Sequence, residues 1–445
     1  MKVRIVAAAL LCAVMAAGLL TGCGETSAKE SIRLVIKTPP LEVTNGSDSE
    51  IEEACELLAK AGEDFSSQYE AADVTVDVVK FEYQEEEKNI KECFDTEDAA
   101  DILFEGYFNM LSYVYTGRAV PLDDVLPEEA AADFAPAIYE AGQVDGRTYM
   151  LPSYSFQNTL AYNKELFKQC GLDSYIGKSG TIDNWSPEDW EYILDTLAAG
   201  LPDTTYPLMM YGKTNQGDTH IMTLIRSRGC TFFDKDNNLC VNTPEGIEAL
   251  RWIQGGVERG WYPDDSENLT IDDCMALFDS DRLAICLTNN VYYGNYDPDK
   301  IGLVNFPSEK GDGFSTEFIS GFMMFDNDDE ARLKAAKDFI RFFYGNDEYL
   351  DYEAAGIPSN TSVLERMKDK VTMPDAYVKN RHTQWNFTGN NPNWRGDETS
   401  VRAVFWPHIH NLLAGEITPE ECAANIDRDC NQAIELGRET GVLHE

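Results

Sequence analysis

The sequence predicts an α/β protein built as two lobes, and three observations carry that prediction. The first third of the chain reads strand, helix, strand, helix, strand, an order that argues for a parallel sheet with right-handed crossovers. About 420 residues remain once a short apolar leader is set aside, too many for one hydrophobic core and natural for two. The third is the stretch Val144–Leu166. It turns at Asp145-Gly146, runs extended from Thr148 to Leu151, is interrupted by Pro152 and Ser153, and runs extended again from Asn158 to Tyr162. A helix opens near Asn163. Such a bend fits a chain passing from one lobe to the other; a bent strand within one sheet is the plainer alternative.

In chain order, Lys2 and Arg4 precede an apolar run from Ile5 to Leu20, followed by Thr21-Gly22-Cys23. The run is shorter than the roughly 20 residues of a membrane span and suits the core of a signal peptide. Leu20-Thr21-Gly22-Cys23 resembles a bacterial lipobox. The expectation is a lipoprotein signal peptide over 1–22, lipidation at Cys23, and a small, polar tether over 23–30. Net charge is −42, distributed along the chain. A surface so acidic repels nucleic acid and anionic lipid heads. Nine cysteines remain after Cys12 and Cys23, an odd number; Cys230 and Cys240 flank a hairpin that they could bridge, whereas Cys422 and Cys430 lie too far apart on one helix to bond.

Ser31–Lys37 alternates as a first strand and stops at Thr38-Pro39-Pro40. Glu50–Tyr69 places Ile51, Ala54, Leu57, Leu58, Ala61 and Phe65 on one helical face. Val74–Phe81 is a second strand, Glu85–Phe94 a second helix, and Asp101–Gly106 a short buried strand. Ligands of parallel sheets bind beyond the carboxyl ends of the strands, which puts Thr38, Tyr83, Tyr107, Phe108 and Asn109 at a candidate cleft. Ser186-Pro187-Glu188-Asp189 is a helix start with its cap, proline and first-turn acids. Pro207–Gly212 is a buried strand whose end loop carries Gln216. Leu283–Leu287 is another, ending in Thr288-Asn289-Asn290. Ile301–Pro307 reads as a returning crossover strand, with a third crossover around Lys370, and Phe318–Met324 as a later strand of the first lobe, carrying Ser320. Ala331–Tyr344 is an amphipathic helix.

Enzyme motifs are missing: no Gly-x-Ser-x-Gly, P-loop or His-Glu-x-x-His occurs. His408 and His410, two apart, point to different sides of a helix. Asp234-x-Asp236-x-Asn238 has EF-hand spacing but leucine where that loop needs glycine, so a plain hairpin turn is expected. The segment His382–Asp397 is a loop by its glycine, asparagine and proline content, yet it carries Trp385, Phe387 and Trp394. Rings of this kind cover the C–H faces of sugars while amides and carboxylates take their hydroxyls; docking on the second lobe is the other use for them. Arg402 and Trp406 follow on one helical face.

Several segments, in order, resemble the sugar-binding family of bacterial extracellular solute-binding proteins (family 1), which includes the maltodextrin-binding protein. Val144–Pro152 with Tyr162–Phe167 is similar to the family's first crossover. Arg118–Asp124, Trp185–Trp190, Phe278–Ile285, Gly356–Asn360 and Leu412–Glu421 match later segments, while Ala100–Leu103 lacks the family's proline. The resemblance implies a two-lobed periplasmic-binding-protein type II fold, with 31–157 plus 304–368 as lobe 1 and 158–303 plus 369–445 as lobe 2. It implies an extracellular, lipid-anchored monomer that closes on a carbohydrate and delivers it to the permease subunits of an ABC importer, with no cofactor, metal or catalytic residue. The expected cleft residues are Thr38, Tyr107, Phe108, Tyr154, Asn158, Gln216, Asn289, Asn290, Ser320, Trp385, Trp394 and Arg402. The alternatives are a secreted glycan-cleaving enzyme, a binding protein serving a sensor kinase, and a peptide or polyamine ligand.

Overall fold

Strand β1 (Ser31–Thr38), helix α1 (Ala54–Gln68), strand β2 (Asp73–Lys80), the short helix α2 (Glu86–Ile90) and strand β3 (Ile102–Gly106) follow one another in the predicted order. β1 pairs in parallel with β2 along its whole length and with β3 through Ile36 and Lys37. These come from a computed structural model, which describes residues 29–440 except 47–48, 215, 371–374 and 381. The leader, Cys23 and most of the tether lie outside the described residues, as does the chain just beyond Lys370.

The Asp145-Gly146 turn is present: φ is positive at both residues, 50° and 74°, as a two-residue hairpin requires. The interruption expected at Pro152-Ser153 is a bulge and not a break. Strand β4 runs from Leu151 to Asn163, with all thirteen residues buried. Proline is tolerated in a sheet where pairing is irregular, and here the consecutive residues Ser320 and Gly321 of the partner strand pair with Tyr154 and Pro152, which leaves Ser153 as the extra residue. Gly321 is required at that crossing, since a Cβ there would stand 2.1 Å from the Leu151 carbonyl oxygen.

Beyond β4 come strand β5 (Tyr206–Leu208), helix α3 (Asp218–Ser227), strands β6 (Leu283–Asn289), β7 (Ile301–Val304) and β8 (Ser315–Met324), and helix α4 (Glu330–Tyr344). Strand β9 (Thr383–Trp385) and helices α5 (Val401–Leu413) and α6 (Pro419–Thr440) complete the elements that matter for the site. One sheet runs β2-β1-β3-β8-β4-β6-β5, with β7 also on β4 and β9 on β8. β4 changes neighbours part-way. Its first half, to Asn158, pairs antiparallel with β8; its second half, from Asn158, pairs with β6 and β7. Burial on both faces explains why β4 shows no alternating pattern.

The hydrophobic core divides at the same place. Leu151, Tyr154 and Phe156 pack with Ile36, Leu57, Phe104, Phe322 and Phe339. Leu160 and Tyr162 pack with Trp190, Leu250, Ile285, Phe405 and Ile426. A smaller cluster around Tyr107, Tyr113 and Phe325 adjoins the first of these. The fold is thus the two-lobed α/β architecture expected, with β4 passing from one lobe into the other.

Local expectations resolve similarly. Ser186 and Asp189 form a full capping box. Asp234 accepts from the backbone N–H groups of Asp236 and Asn238, and the segment is a hairpin between Phe232–Phe233 and Leu239–Cys240. Cys230 and Cys240 do not bridge it: all nine described cysteines are free thiols. His408 meets Asp429 and His410 meets the Glu267 carbonyl, so the two imidazoles face different partners. Among the described residues no helix is long and apolar enough to cross a membrane, and no cluster of three or more His, Cys, Asp or Glu could hold a metal.

Candidate functional site

The ends of β3 and β6, the middle of β8 and the start of α3 converge on a cavity of about 270 Å³ between the two cores. A second space of similar volume continues from it past Tyr83, Gln216, Arg395 and Arg402. One wall is aromatic. Phe318 stacks on Phe156 with ring centroids 5.0 Å apart and meets Phe108 at 4.8 Å. Leu287, Ile271 and Tyr292 extend the apolar surface from the second lobe. Polar side chains share the lining with these rings: Asn158 stands two residues from Phe156 on β4 and Ser320 two residues from Phe318 on β8, and Gln216, Asp218, Thr219 and Asn289 join them with Glu42, Glu105, Arg395 and Arg402.

Each polar group has a local reason for its position. Asn158 stands where β4 changes partners, in register with both Thr316 and Asn289, and its Nδ2 donates to Thr316 Oγ1 at 3.3 Å. Asn289 caps the turn after β6 by accepting from the N–H groups of Val291 and Tyr292. Gly217, at φ +72°, brings the chain tightly into α3; a Cβ there would meet the Tyr211 hydroxyl at 2.3 Å. The next residue, Asp218, therefore points into a fixed setting. It is 1% exposed, accepts from Trp394 Nε1 at 2.9 Å and pairs with Arg402 Nη2 at 2.6 Å.

The second ionic group is a triad. Arg395 Nη1 meets Glu105 Oε1 at 2.8 Å and Arg395 Nη2 meets Glu86 Oε2 at 3.0 Å, with all three side chains buried. Its guanidinium lies 5.0 Å from the Tyr83 ring centroid and 6.0 Å from that of Phe108. Burial opposes the charge on Arg395, but Glu86 and Glu105 outweigh it and hold its pKa above the ordinary value. Burial, reinforced by Glu86, raises the Glu105 carboxyl well above the usual range. Arg402 goes the other way: burial lowers its pKa, against the pull of Asp218.

Six of the twelve expected residues line the cavity: Phe108, Asn158, Gln216, Asn289, Ser320 and Arg402. The other six do not. Thr38 is buried at the end of β1 with its hydroxyl turned to the Pro39 carbonyl. Tyr107 is packed in the cluster around Tyr113, its ring centroid 5.9 Å from that of Phe108. Tyr154 belongs to the first core and donates to the Glu42 carbonyl. Asn290 is a structural clamp on β4, accepting from Gln157 N and donating to Ser155 O. Trp385 packs on the first lobe from β9, and Trp394 sits in the second core at 2% exposure. The reading missed Glu42, Glu86, Glu105, Phe156, Asp218, Phe318 and Arg395. A signal existed for Glu105, the one charge inside the apolar run Ile102–Gly106, since glutamate is almost never fully buried unless paired.

A two-lobed α/β fold with an aromatic and polar cavity between its cores defines a solute-binding protein. The family model for bacterial extracellular solute-binding proteins matches residues 60–379, most of the chain, and the chain belongs to that family. The family is one of binding proteins and not of enzymes, and Glu86 and Glu105, carboxylates at the cavity, both grip Arg395. The chain is 28% identical over 156 residues, 35% of its length and 32% of the relative's, to the arabinooligosaccharide-binding protein of Halalkalibacterium halodurans. It is 26% identical over 205 residues, 45% and 44% of the two lengths, to the mannitol-binding protein of Pseudomonas aeruginosa. These matches span less than half of the relatives' lengths. Among solved structures, a chitin oligosaccharide binding protein superposes with a TM-score of 0.71 at 17% identity, covering 91% of this chain and 99% of the other. That likeness confirms the fold.

Proposed function

We propose that this protein captures a carbohydrate or sugar alcohol in the interlobe cavity. The observation that carries this is a cavity lined both by rings, Phe108, Phe156 and Phe318, and by amides, carboxylates and arginines. A sugar has the same two kinds of surface, C–H faces for rings and hydroxyls for planar polar groups. The names of the mannitol- and arabinooligosaccharide-binding relatives support the class. The first lobe comprises 31–157 with 304–368 and the second 158–303 with 369–445; they close by bending at the crossovers. Lipidation at Cys23 holds the monomer at the outer face of the cell membrane, where it passes its ligand to the permease subunits of an ABC importer.

A thermal-shift screen over mono- and oligosaccharides and alditols tests the reading. A ligand at 100 times its dissociation constant adds about 2.7 kcal/mol, a rise in melting temperature that such an assay resolves. Stabilisation by peptides or polyamines, with none from any sugar or alditol, contradicts it.

A further inference from the structure

Arg395 belongs by its neighbours to one lobe and by its charge to the other. Trp394 is packed in the second core, and the backbone on both sides is tied there: Val401 N donates to Asn393 O, and Asn393 Nδ2 donates to the Ala433 carbonyl on α6. Yet the Arg395 guanidinium binds Glu86 and Glu105, and its backbone N–H donates to Asn109 Oδ1 at 3.0 Å. All three partners sit on the first lobe. Glu86 is itself held, by Asn109 Nδ2 and the Tyr113 hydroxyl. A buried charge released from such partners is costly unless water replaces them, so the contact favours the lobes staying together.

Arg395 also keeps the two carboxyls together. Glu105 Oε1 is taken by Arg395 Nη1 and Glu86 Oε2 by Nη2, and the two acids meet each other in the same buried setting, which with burial raises the Glu105 carboxyl. Without the guanidinium the two acids would face each other with no cation between them.

We propose that Glu86–Arg395–Glu105 is an interlobe latch that holds the two lobes together in the ligand-free protein. In small-angle scattering of the ligand-free protein, R395M should raise the radius of gyration above that of the parent, with the ratio of closed to open molecules falling about tenfold. R395K, a point charge that cannot fork between two carboxylates, should fall between. Equal radii for parent and R395M overturn the latch. Hydrogen exchange needs no variant: the Arg395 amide should be protected in the ligand-free parent, and fast exchange there also overturns it.

Discussion

Replacing Asp218 by alanine is expected to lower stability by about 3–5 kcal/mol, the cost of stranding one member of a buried ion pair. Two groups lose their partner at once, Arg402 at 2.6 Å and the indole N–H of Trp394 at 2.9 Å. Neither has water to turn to: Trp394 is 2% exposed, and burial already disfavours the Arg402 charge. The melting temperature should drop by roughly 10 °C. D218N keeps an oxygen for Trp394 but not the charge facing Arg402, so it should fall between D218A and the parent. Because Asp218 and Arg402 both line the cavity, D218A should also weaken any ligand held there. A drop of under about 1 kcal/mol in D218A would falsify the view that this pair organises the second-lobe side of the site.

The second large effect is on acid stability and centres on His220. This residue of α3 is fully buried between Tyr211, with ring centroids 5.6 Å apart, and Phe306 at 5.7 Å. Neither ring nitrogen has a hydrogen-bond partner among the described residues, and burial pushes the imidazole down to about 3. The unfolded chain binds a proton near 6.5 while the folded chain does not, so stability is lost as pH falls from about 6.5 toward 3. The whole span corresponds to an upper bound of about 5 kcal/mol. Glu317 works the opposite way. Burial pushes it up to about 7, against a hydrogen bond from Ser155, so it favours the fold at low pH and this contribution is lost as pH rises from about 4.5 to 7. Between about pH 6.5 and 4.5 the two slopes oppose each other. Removing the imidazole leaves the carboxyl slope alone, so melting temperatures should hold up better toward low pH in H220F than in the parent. An H220F profile parallel to that of the parent contradicts the assignment.

Much of the fold could be read from the residues because its elements are separated by strong stops and its strands are apolar. The continuity of β4 could not, since the bulge at Ser153 stays within the sheet only through pairing with β8, more than 150 positions away. The site was half legible. The strand-end rule points to Thr38, Tyr83, Tyr107, Phe108 and Asn109, and of these Tyr83 and Phe108 line the cavity. Between neighbours the rule is blind: whether Tyr107 or Phe108 faces the cavity depends on the short 3₁₀ turn Tyr107–Asn109, which no periodicity signals. The tryptophans of the 382–397 segment advertised a sugar platform, but one fills the second core and the other packs on the first lobe. What that segment brings to the cavity is Arg395, silent in the sequence because its partner Glu105 is 290 positions away.

Isothermal titration of the best compound from the thermal screen into the parent and into F108A decides whether a sugar or alditol binds on the aromatic wall between the lobes. Phe108 meets Phe318 at 4.8 Å and lies near both cavity arginines, so its loss removes ring surface at the centre of the site. The expected result is saturable binding near the micromolar range, about −8 kcal/mol, weakened at least about tenfold in F108A with the fold intact. Equal affinity in the two proteins would place the ligand elsewhere and contradict the account.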